Sequence, residues 1–225
     1  MTIKTVGVIG LGKMGGPLAK HLTGAKYDVI GYDVSKAVLQ KLQPSDISIA
    51  NSCADVAEKC DLVIVGVGFD SEVEEVIFGD TGLLVGATNK TIIAVASTIA
   101  PQTMKDIATR SANRNAEFLD IPMTRGEQAA IDGNLLLLGG GDPESFDACK
   151  PAFETFAKDI YYLGDLGAGQ VGKMVNNLIL WSCISANVEG MALANALSVD
   201  TEELRDALLD SSAQNWAMEV RAEKW

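Results

Sequence analysis

A lysine and an asparagine stand four residues apart near the start of a long apolar segment, at Lys173 and Asn177. Residues at this spacing share one face of a helix, so both side chains can reach the same small polar substrate. An apolar environment disfavours the charged form of a lysine and brings its pKa towards the range where it gives and takes protons. The spacing therefore suggests an acid/base. The alternative is that Lys173 reaches solvent while Asn176 and Asn177 bind local backbone groups.

A glycine-rich motif, Gly10-Leu11-Gly12-Lys13-Met14-Gly15, follows the first predicted strand and opens the first predicted helix. Gly10 permits the tight turn, Gly12 lets a pyrophosphate approach the backbone, and Gly15 lets the helix pack closely on the strand. The amino terminus of the helix favours the phosphate charge. In this context the motif predicts a dinucleotide site rather than a glycine-rich turn without a ligand.

An aspartate, Asp33, ends the second predicted strand. It lies at the distance of about twenty residues where a carboxylate accepts hydrogen bonds from the adenosine ribose. Its charge would repel a 2′-phosphate, so the predicted cofactor is NAD rather than NADP. The alternative is an aspartate that only stabilises a turn before Ser35.

Short apolar, β-branched runs alternate with helical patterns, which is typical of a parallel α/β sheet. Strands are predicted at 6–9, 28–32, 62–67, 91–95, 117–119, 135–138 and 159–162, and helices at 14–23, 36–42, 72–78, 102–111 and 144–156. From residue 169 the pattern is helical to about residue 197, and again from residue 201, where Thr201-Glu-Glu-Leu204 indicates a helix start. We therefore predict a Rossmann-type, mostly parallel sheet in residues 1–165. A partial all-α domain in residues 166–225 is expected to serve substrate binding and dimerisation.

The composition excludes several classes of protein. Eighteen basic against thirty acidic residues give a net charge of −12, which repels nucleic acid and acidic membrane surfaces. The uncharged run at 174–188 is shorter than a typical membrane span, and no secretory leader pattern opens the chain. The four cysteines form no CxxC pair, so neither a metal site nor a disulfide framework is predicted. We expect a cytoplasmic protein, and a homo-oligomer because about sixty helical residues make a thin core.

Three further segments, taken with the glycine motif, carry a resemblance to a known family: Ser97-Thr98-Ile-Ala-Pro101, the run from Phe118 to Gly126, and the Lys173 segment. In this order they resemble the β-hydroxyacid dehydrogenases, which include 3-hydroxyisobutyrate dehydrogenase, tartronate semialdehyde reductase, 3-sulfolactaldehyde reductase and, more distantly, 6-phosphogluconate dehydrogenase. Four motifs in order make the resemblance specific, and it extends to the end of the chain. Relative to this family, the chain is expected to lack the C-terminal part.

The resemblance implies a set of site residues and an activity. It implies that Lys173 is the catalytic acid/base. The implied cofactor residues are Gly10, Leu11, Gly12, Lys13, Met14, Gly15, Asp33, Val67 and Thr98. The implied substrate-binding residues are Ser97, Thr124, Arg125, Gly126, Asn176 and Asn177. The implied reaction is hydride transfer between NAD and a small anionic 3-hydroxy acid or its semialdehyde.

Arg125 is a departure from the family pattern, which commonly has Ser-Gly-Gly where this chain has Thr124-Arg125-Gly126. A guanidinium binds a carboxylate or a sulfonate through two parallel hydrogen bonds. The 3-sulfolactaldehyde reductases are similar at this position. The alternative is that Arg125 pairs with Glu127 or Asp132 on the surface.

Two other functions remain open alternatives. Imine reductases resemble this fold but commonly lack the lysine, so Lys173 argues against that activity. From a different class, the chain could be a catalytically silent dinucleotide-binding or interaction module, since some relatives have lost the lysine.

Overall fold

The computed structural model describes residues 2–41, 46–88, 91–112 and 114–220. The chain divides into two compact units, of which the first runs to Lys173 and the second begins at Met174. The border lies within one long helix, whereas a domain boundary was predicted between residues 165 and 166.

Nine strands form one sheet among the described residues of the first unit. They are β1 (Thr5–Ile9), β2 (Asp28–Tyr32), β3 (Ser48–Ile49), β4 (Leu62–Val65), β5 (Thr91–Val95), β6 (Ala116–Asp120), β7 (Met123–Thr124), β8 (Leu135–Gly141) and β9 (Ala157–Tyr162). The order is β3-β2-β1-β4-β5-β6-β8-β7, and β9 also pairs with β8. The first six strands in this order pair in parallel, which confirms the predicted Rossmann-type sheet. By contrast, β8 is antiparallel to β6 and β7.

The helices confirm the predicted alternation and add short elements to it. The first unit contains α1 (Gly15–Gly24), α2 (Lys36–Lys41), α3 (Cys53–Lys59), α4 (Asp70–Phe78), α5 (Leu83–Gly86), α6 (Pro101–Ser111), α7 (Gly126–Ile131) and α8 (Pro143–Phe153). A long helix, α9 (Ala168–Ala196), crosses the border, and α10 (Thr201–Leu209) and α11 (Trp216–Val220) follow it. No helix among the residues that the structure describes is long and apolar enough to cross a membrane.

Several element boundaries differ from those predicted. The strand predicted at 62–67 ends at Val65, where a glycine-rich turn begins, and the helix predicted at 144–156 ends at Phe153, from where the chain turns into β9. The predicted end of α2 at residue 42 lies outside the described residues. The patterns also missed β3, β7, α3, α5, α7 and α11. Each of these spans seven residues or fewer, too short to show a periodicity.

The apolar strands are buried on both faces of the sheet. In β4, Leu62 and Ile64 belong to one core cluster, whereas Val63 and Val65 belong to the other. This arrangement explains the uninterrupted apolar run, because helices cover both sides of a parallel sheet. The packing holds the carboxyl ends of the parallel strands at one edge, where the loops that could do chemistry begin.

Hydrogen bonds join the helices of the second unit. Asp200 caps α10 by accepting two backbone N–H groups of the first turn, so the cap precedes the residue at which the sequence signature began. The Arg205 guanidinium donates to the Met218 carbonyl oxygen at 3.3 Å and links α10 to α11. Asn187 and Asn215 exchange two amide hydrogen bonds, which fix α9 to the turn before α11.

We expect Gly169→Ala to destabilise the protein, because a Cβ there would collide with the Leu138 carbonyl oxygen and the Asp120 side chain. Overpacking of this kind costs about 1–3 kcal/mol. Gly190→Ala in the same helix is the matched control, since nothing lies within 4 Å of a Cβ at that position. It should raise stability by about 0.5–1 kcal/mol. Urea unfolding followed by circular dichroism measures both changes, and equal stability of the two variants would contradict the close approach of α9 to the sheet.

Candidate active site

The strand order reverses next to β1, which pairs with β2 on one side and with β4 on the other. Open α/β sheets bind ligands at the carboxyl ends of the strands where the order reverses. Here Gly10 follows β1 and Gly66 follows β4. Gly10 has a φ of +84°, and a Cβ there would lie 2.5 Å from the Gly66 carbonyl oxygen. Only glycine fits at this position, so the two strand ends can lie side by side.

A cavity of about 490 Å³ lies at this edge of the sheet, lined among others by Gly10, Gly12, Asp33 and Val67. A Cβ at Gly12 would meet no atom within 4 Å, so position 12 borders open space. At Gly15 a Cβ would collide with the Gly10 carbonyl oxygen, which shows how closely the start of α1 packs on the loop. These residues fit a dinucleotide, because its pyrophosphate needs open backbone at the second glycine and a helix amino terminus beside it.

The other residues predicted to bind the cofactor lie around the cavity rather than on its described wall. Leu11 is buried in the core, and Met14 precedes the first turn of α1. Lys13 forms an exposed ion pair of 3.0 Å with Glu127 at the start of α7. Thr98 is exposed. A contact between these side chains and a cofactor stays a prediction.

Sequence reasoning missed part of the cavity wall. The missed side chains include Tyr32, Cys53, Ser71, Glu72, Glu75 and Thr81. One available signal was the run Gly66-Val67-Gly68 at the end of β4, since two glycines beside a strand end also permit close approach of a ligand. The cavity side chains on α3 and α4 could not be identified from the local sequence, because only the crossover connections of the fold bring them to this edge of the sheet.

Asp33 lines the cavity and also closes the turn after β2. Its Oδ2 accepts a hydrogen bond from the Leu11 backbone N–H, and its Oδ1 accepts one from Ser35, both at 2.8 Å. Asp33 therefore stabilises the turn before Ser35, as the alternative prediction stated, and this role is compatible with a ligand contact. Each carboxylate oxygen has two acceptor sites, so both oxygens keep capacity for a ribose hydroxyl.

The loop after β5 is held by the residues at the end of β4 and by the first turn of α9. The Ser97 hydroxyl accepts a hydrogen bond from the Val67 N–H at 2.9 Å and donates to the Val65 carbonyl at 3.3 Å. The Gln170 side chain, in the first turn of α9, donates to the Ser97 carbonyl at 2.8 Å and accepts from the Ile99 N–H at 3.1 Å. Ser97 therefore bridges the cavity wall and α9, and only its oxygen has acceptor capacity left for a substrate.

The turn at 124–126 has an unusual backbone. Arg125 has a φ of +80° and Gly126 a φ of +81°, a left-handed region that favours glycine. The Arg125 guanidinium pairs with Asp159 on β9 at 2.6 Å and donates to the Asn134 carbonyl at 3.1 Å. An arginine in place of the family's glycine is thus accompanied by a specific ion pair.

The alternative partners suggested for Arg125 are wrong, because both are engaged elsewhere. Glu127 pairs with Lys13, and Asp132 accepts a hydrogen bond from Gln128 in α7. The sequence could not identify Asp159, since β8 and β9 bring that residue close only in the folded sheet.

Lys173 is half-buried in α9, and its Nζ donates a hydrogen bond to the Met123 carbonyl at 2.6 Å. Burial lowers the pKa of Lys173 below the ordinary lysine range. No ion pair among the described residues includes this ammonium. The alternative in which Lys173 simply reaches solvent is wrong, because the ammonium is turned towards β7, directly before the 124–126 turn.

Asn176 and Asn177 belong to the second unit and lie in α9. The Asn176 side-chain amide donates to the Asn177 side-chain oxygen at 3.1 Å, and both residues are partly exposed. The asparagines therefore bind one another rather than the helix backbone, which leaves the Asn177 NH₂ and the Asn176 oxygen for other partners.

Burial makes three of the four cysteines poor nucleophiles, including Cys53, which lines the cavity. Cys53, Cys60 and Cys149 are buried, and burial raises the pKa of Cys60 and of Cys149 to about 12. These two thiols stay protonated near neutral pH and are poor nucleophiles. Within the described residues, no group of three His, Cys, Asp or Glu side chains is placed to hold a metal ion.

Comparison with known families accounts for nearly the whole chain. Residues 5–164 match the NAD binding domain of 6-phosphogluconate dehydrogenase. Residues 167–225 match a second family, described as NAD-binding of NADP-dependent 3-hydroxyisobutyrate dehydrogenase.

Individual relatives agree with these matches. The chain is 34% identical to a probable mitochondrial 3-hydroxyisobutyrate dehydrogenase of Dictyostelium discoideum, covering 96% of this chain and 68% of the relative. It is also 34% identical to the NAD-dependent L-serine dehydrogenase of Pseudomonas aeruginosa, covering 97% and 73%. A solved structure of Mycobacterium tuberculosis 3-hydroxyisobutyrate dehydrogenase with L-serine has a TM-score of 0.89 at 26% identity, covering 98% and 74%. These matches show that the chain belongs to the β-hydroxyacid dehydrogenase family of NAD-binding oxidoreductases that act on CH–OH groups.

Proposed function

We propose that this protein transfers hydride between NAD and a small acidic 3-hydroxy compound, with Lys173 as the general acid/base. The observation that carries the proposal is the half-buried Lys173 ammonium, which donates to the Met123 carbonyl and is in no ion pair of the described residues. Ser97 connects α9 to the cavity wall. Its hydroxyl accepts a hydrogen bond from the Val67 N–H, and its carbonyl accepts one from the Gln170 side chain in the helical turn before Lys173. A proton-transfer group and a dinucleotide cavity are thus connected through one loop.

Lys173 would act on the oxygen of the reacting carbon. Bound NAD(H) would supply or accept the hydride. When a carbonyl is reduced, its oxygen gathers negative charge, which an adjacent ammonium stabilises before donating a proton. In the oxidation direction, neutral Lys173 accepts the hydroxyl proton. The lowered pKa supports this role, since burial makes the neutral form more accessible than it is in an exposed lysine.

The named substrates of two relatives share one chemical pattern. Both 3-hydroxyisobutyrate and L-serine carry a hydroxymethyl group on the carbon that bears the carboxylate. We propose a substrate of this kind, held by Ser97, Thr124, Arg125, Gly126, Asn176 and Asn177. Among the described residues only one guanidinium nitrogen of Arg125 is bonded, so its remaining donors can bind the anionic end.

Arg125 also favours a second candidate, the reduction of a sulfonated aldehyde such as 3-sulfolactaldehyde. A guanidinium can bind a sulfonate as well as a carboxylate, because both present two oxygens to its parallel donors. Imine reduction and a silent dinucleotide-binding role remain the weaker alternatives. Half-buried Lys173 with its lowered pKa has no evident use in a silent module, and imine reductases commonly lack a lysine at this position.

Lys173→Ala should lower kcat by about 10²–10⁴-fold, the usual contribution of a general acid/base. NADH affinity, measured by fluorescence titration, should stay nearly unchanged. The panel for turnover comprises 3-hydroxyisobutyrate, L-serine, glycerate, 4-hydroxybutyrate, tartronate semialdehyde, sulfolactaldehyde and a cyclic imine. Lys150→Ala, which removes an exposed lysine of α8, is the control. Undiminished turnover in Lys173→Ala would refute the assignment, and NADH binding by wild type without turnover of any compound would favour the silent module.

The rate of hydroxy-acid oxidation should depend on the protonation of Lys173. Neutral lysine is the base, so kcat/KM for oxidation should rise with pH and level off above the pKa of Lys173. Burial places that pKa below the ordinary value of about 10.4. In the reduction direction the ammonium is the acid, so kcat/KM should fall as pH rises through the same pKa. Initial rates in both directions measure the two profiles, and parallel profiles would contradict acid/base catalysis by one group.

Arg125→Gly should raise KM for the anionic substrate by about 10-fold or more, since a charged hydrogen bond contributes about 1.5–3 kcal/mol. Glycine suits the left-handed φ, so a loss of folding should not obscure the result. Asp159→Asn is the matched control, because it removes the ion-pair partner and keeps the guanidinium. The control should leave KM unchanged or lower it. An equal rise in both variants would show that the ion pair supports the turn without binding substrate.

A further inference from the structure

We infer that Asp120 and Gln170 are positioning residues for Lys173, which fasten the first turn of α9 to the carboxyl edge of the sheet. The inference rests on the proposed function, because it assumes that Lys173 transfers the proton. Neither side chain is bonded to the lysine itself, whose Nζ donates to the Met123 carbonyl. Their action is on the backbone of the helix that carries it.

Asp120 is the last residue of β6 and is fully buried. Its Oδ1 accepts the Gly167 N–H and its Oδ2 accepts the Gln170 N–H, both at 2.7 Å. These donors belong to the start of α9, where backbone N–H groups have no partner within the helix. The carboxylate also interacts favourably with the positive end of the helix dipole. A strand residue thus caps a helix that begins 48 residues later, since β6 ends at residue 120 and α9 starts at residue 168.

The energetics make Asp120 a strict determinant of where α9 begins. Burial raises the pKa of the Asp120 carboxyl, and the hydrogen bonds from Gly167 and Gln170 oppose that rise. A buried carboxylate is tolerated only where donors satisfy it. Displacing the first turn of α9 would leave the charge unsatisfied, so the helix start has one favourable position.

Gln170 holds the same turn from the other side. It is 1% exposed, and both ends of its amide are bonded to the loop after β5. Its oxygen accepts from the Ile99 N–H, and its NH₂ donates to the Ser97 carbonyl. Because the Ser97 hydroxyl also binds Val67 at the cavity wall, Gln170 couples the position of α9 to the dinucleotide cavity.

These two anchors control the lysine through helix geometry. Lys173 lies three residues beyond Gln170, so the two share one helix face on successive turns. Gly169 lies next to Gln170 in the same helical turn. A Cβ at Gly169 would collide with Leu138 and Asp120, so the turn has little freedom to shift. A displacement of about 1 Å at a catalytic group can slow a reaction by about 10²-fold.

The test separates the position of the lysine from the amount of folded protein. Single turnovers of the 225-residue protein are followed by NADH fluorescence in a stopped-flow instrument, with 3-hydroxyisobutyrate and NAD. L-Serine replaces 3-hydroxyisobutyrate if wild type turns it over faster. The amplitude reports the active fraction, and the rate constant reports the reacting geometry. The variants are Asp120→Asn and Gln170→Met, which alter hydrogen bonding with little change of volume. Asp142→Asn is the control, since Asp142 also caps a helix, α8, by accepting the Ser145 N–H, but lies outside the proposed site.

We expect both variants to react about 10–100-fold more slowly than wild type, with NADH affinity within about two-fold, and the control to react at the wild-type rate. In the Lys173→Ala background, Asp120→Asn should cause little further slowing, because residues that act through one another are not additive. A fall in amplitude at an unchanged rate constant would overturn the inference, as would full additivity in the double variant. If Asp120→Asn fails to fold, Gln170→Met decides the question.

The same experiment distinguishes failure of the inference from failure of the proposed function. A wild-type rate in Lys173→Ala overturns the proposed function and the inference with it. A slow Lys173→Ala, together with wild-type rates in Asp120→Asn and Gln170→Met, overturns the inference alone.

Discussion

Parallel pairing of β1 with β2 and with β4 is the constraint on which the rest of the molecule depends. Because these strands run in one direction, their carboxyl ends lie at the same edge, and the loops from β1 and β4 meet there. Gly10 makes the approach possible, since a side chain there would collide with the Gly66 carbonyl oxygen. The cavity is the crevice outside these two strand ends, where the chain continues into separate loops.

The same edge organises the catalytic half of the candidate site. The loop after β5 and the end of β6 both bind the first turn of α9, through Gln170 and Asp120. Consecutive strands of the sheet therefore supply the cavity wall, the Ser97 loop and the helix cap in order. This arrangement relates Lys173, the proposed proton-transfer group, to the dinucleotide cavity through hydrogen bonds of the intervening loop. Gly169 contributes to this arrangement, since the absence of a side chain lets the first turn of α9 lie against the sheet.

Much of the fold could be predicted from the sequence, because its information is local. Apolar runs of four or five residues reveal strands that are buried on both faces, and glycine spacing reveals the turn after β1. Short elements such as β7 and α7 escaped notice, although they carry the 124–126 turn. Arg125 shows the limit most clearly. Its departure from the family pattern was evident, but its left-handed backbone and its partner Asp159 were not.

The sequence by itself determined the order of the elements, the dinucleotide motif and the choice of Lys173 as the residue suited to acid/base chemistry. Each of these depends on residue types at short spacing, which the chain carries whether or not it is folded. Only the tertiary structure decided that Lys173 is half-buried at the edge of the sheet, and that Asp120 caps the helix on which it lies. Burial and capping are relations between residues about fifty positions apart, and they arise only when packing of the sheet brings those positions together.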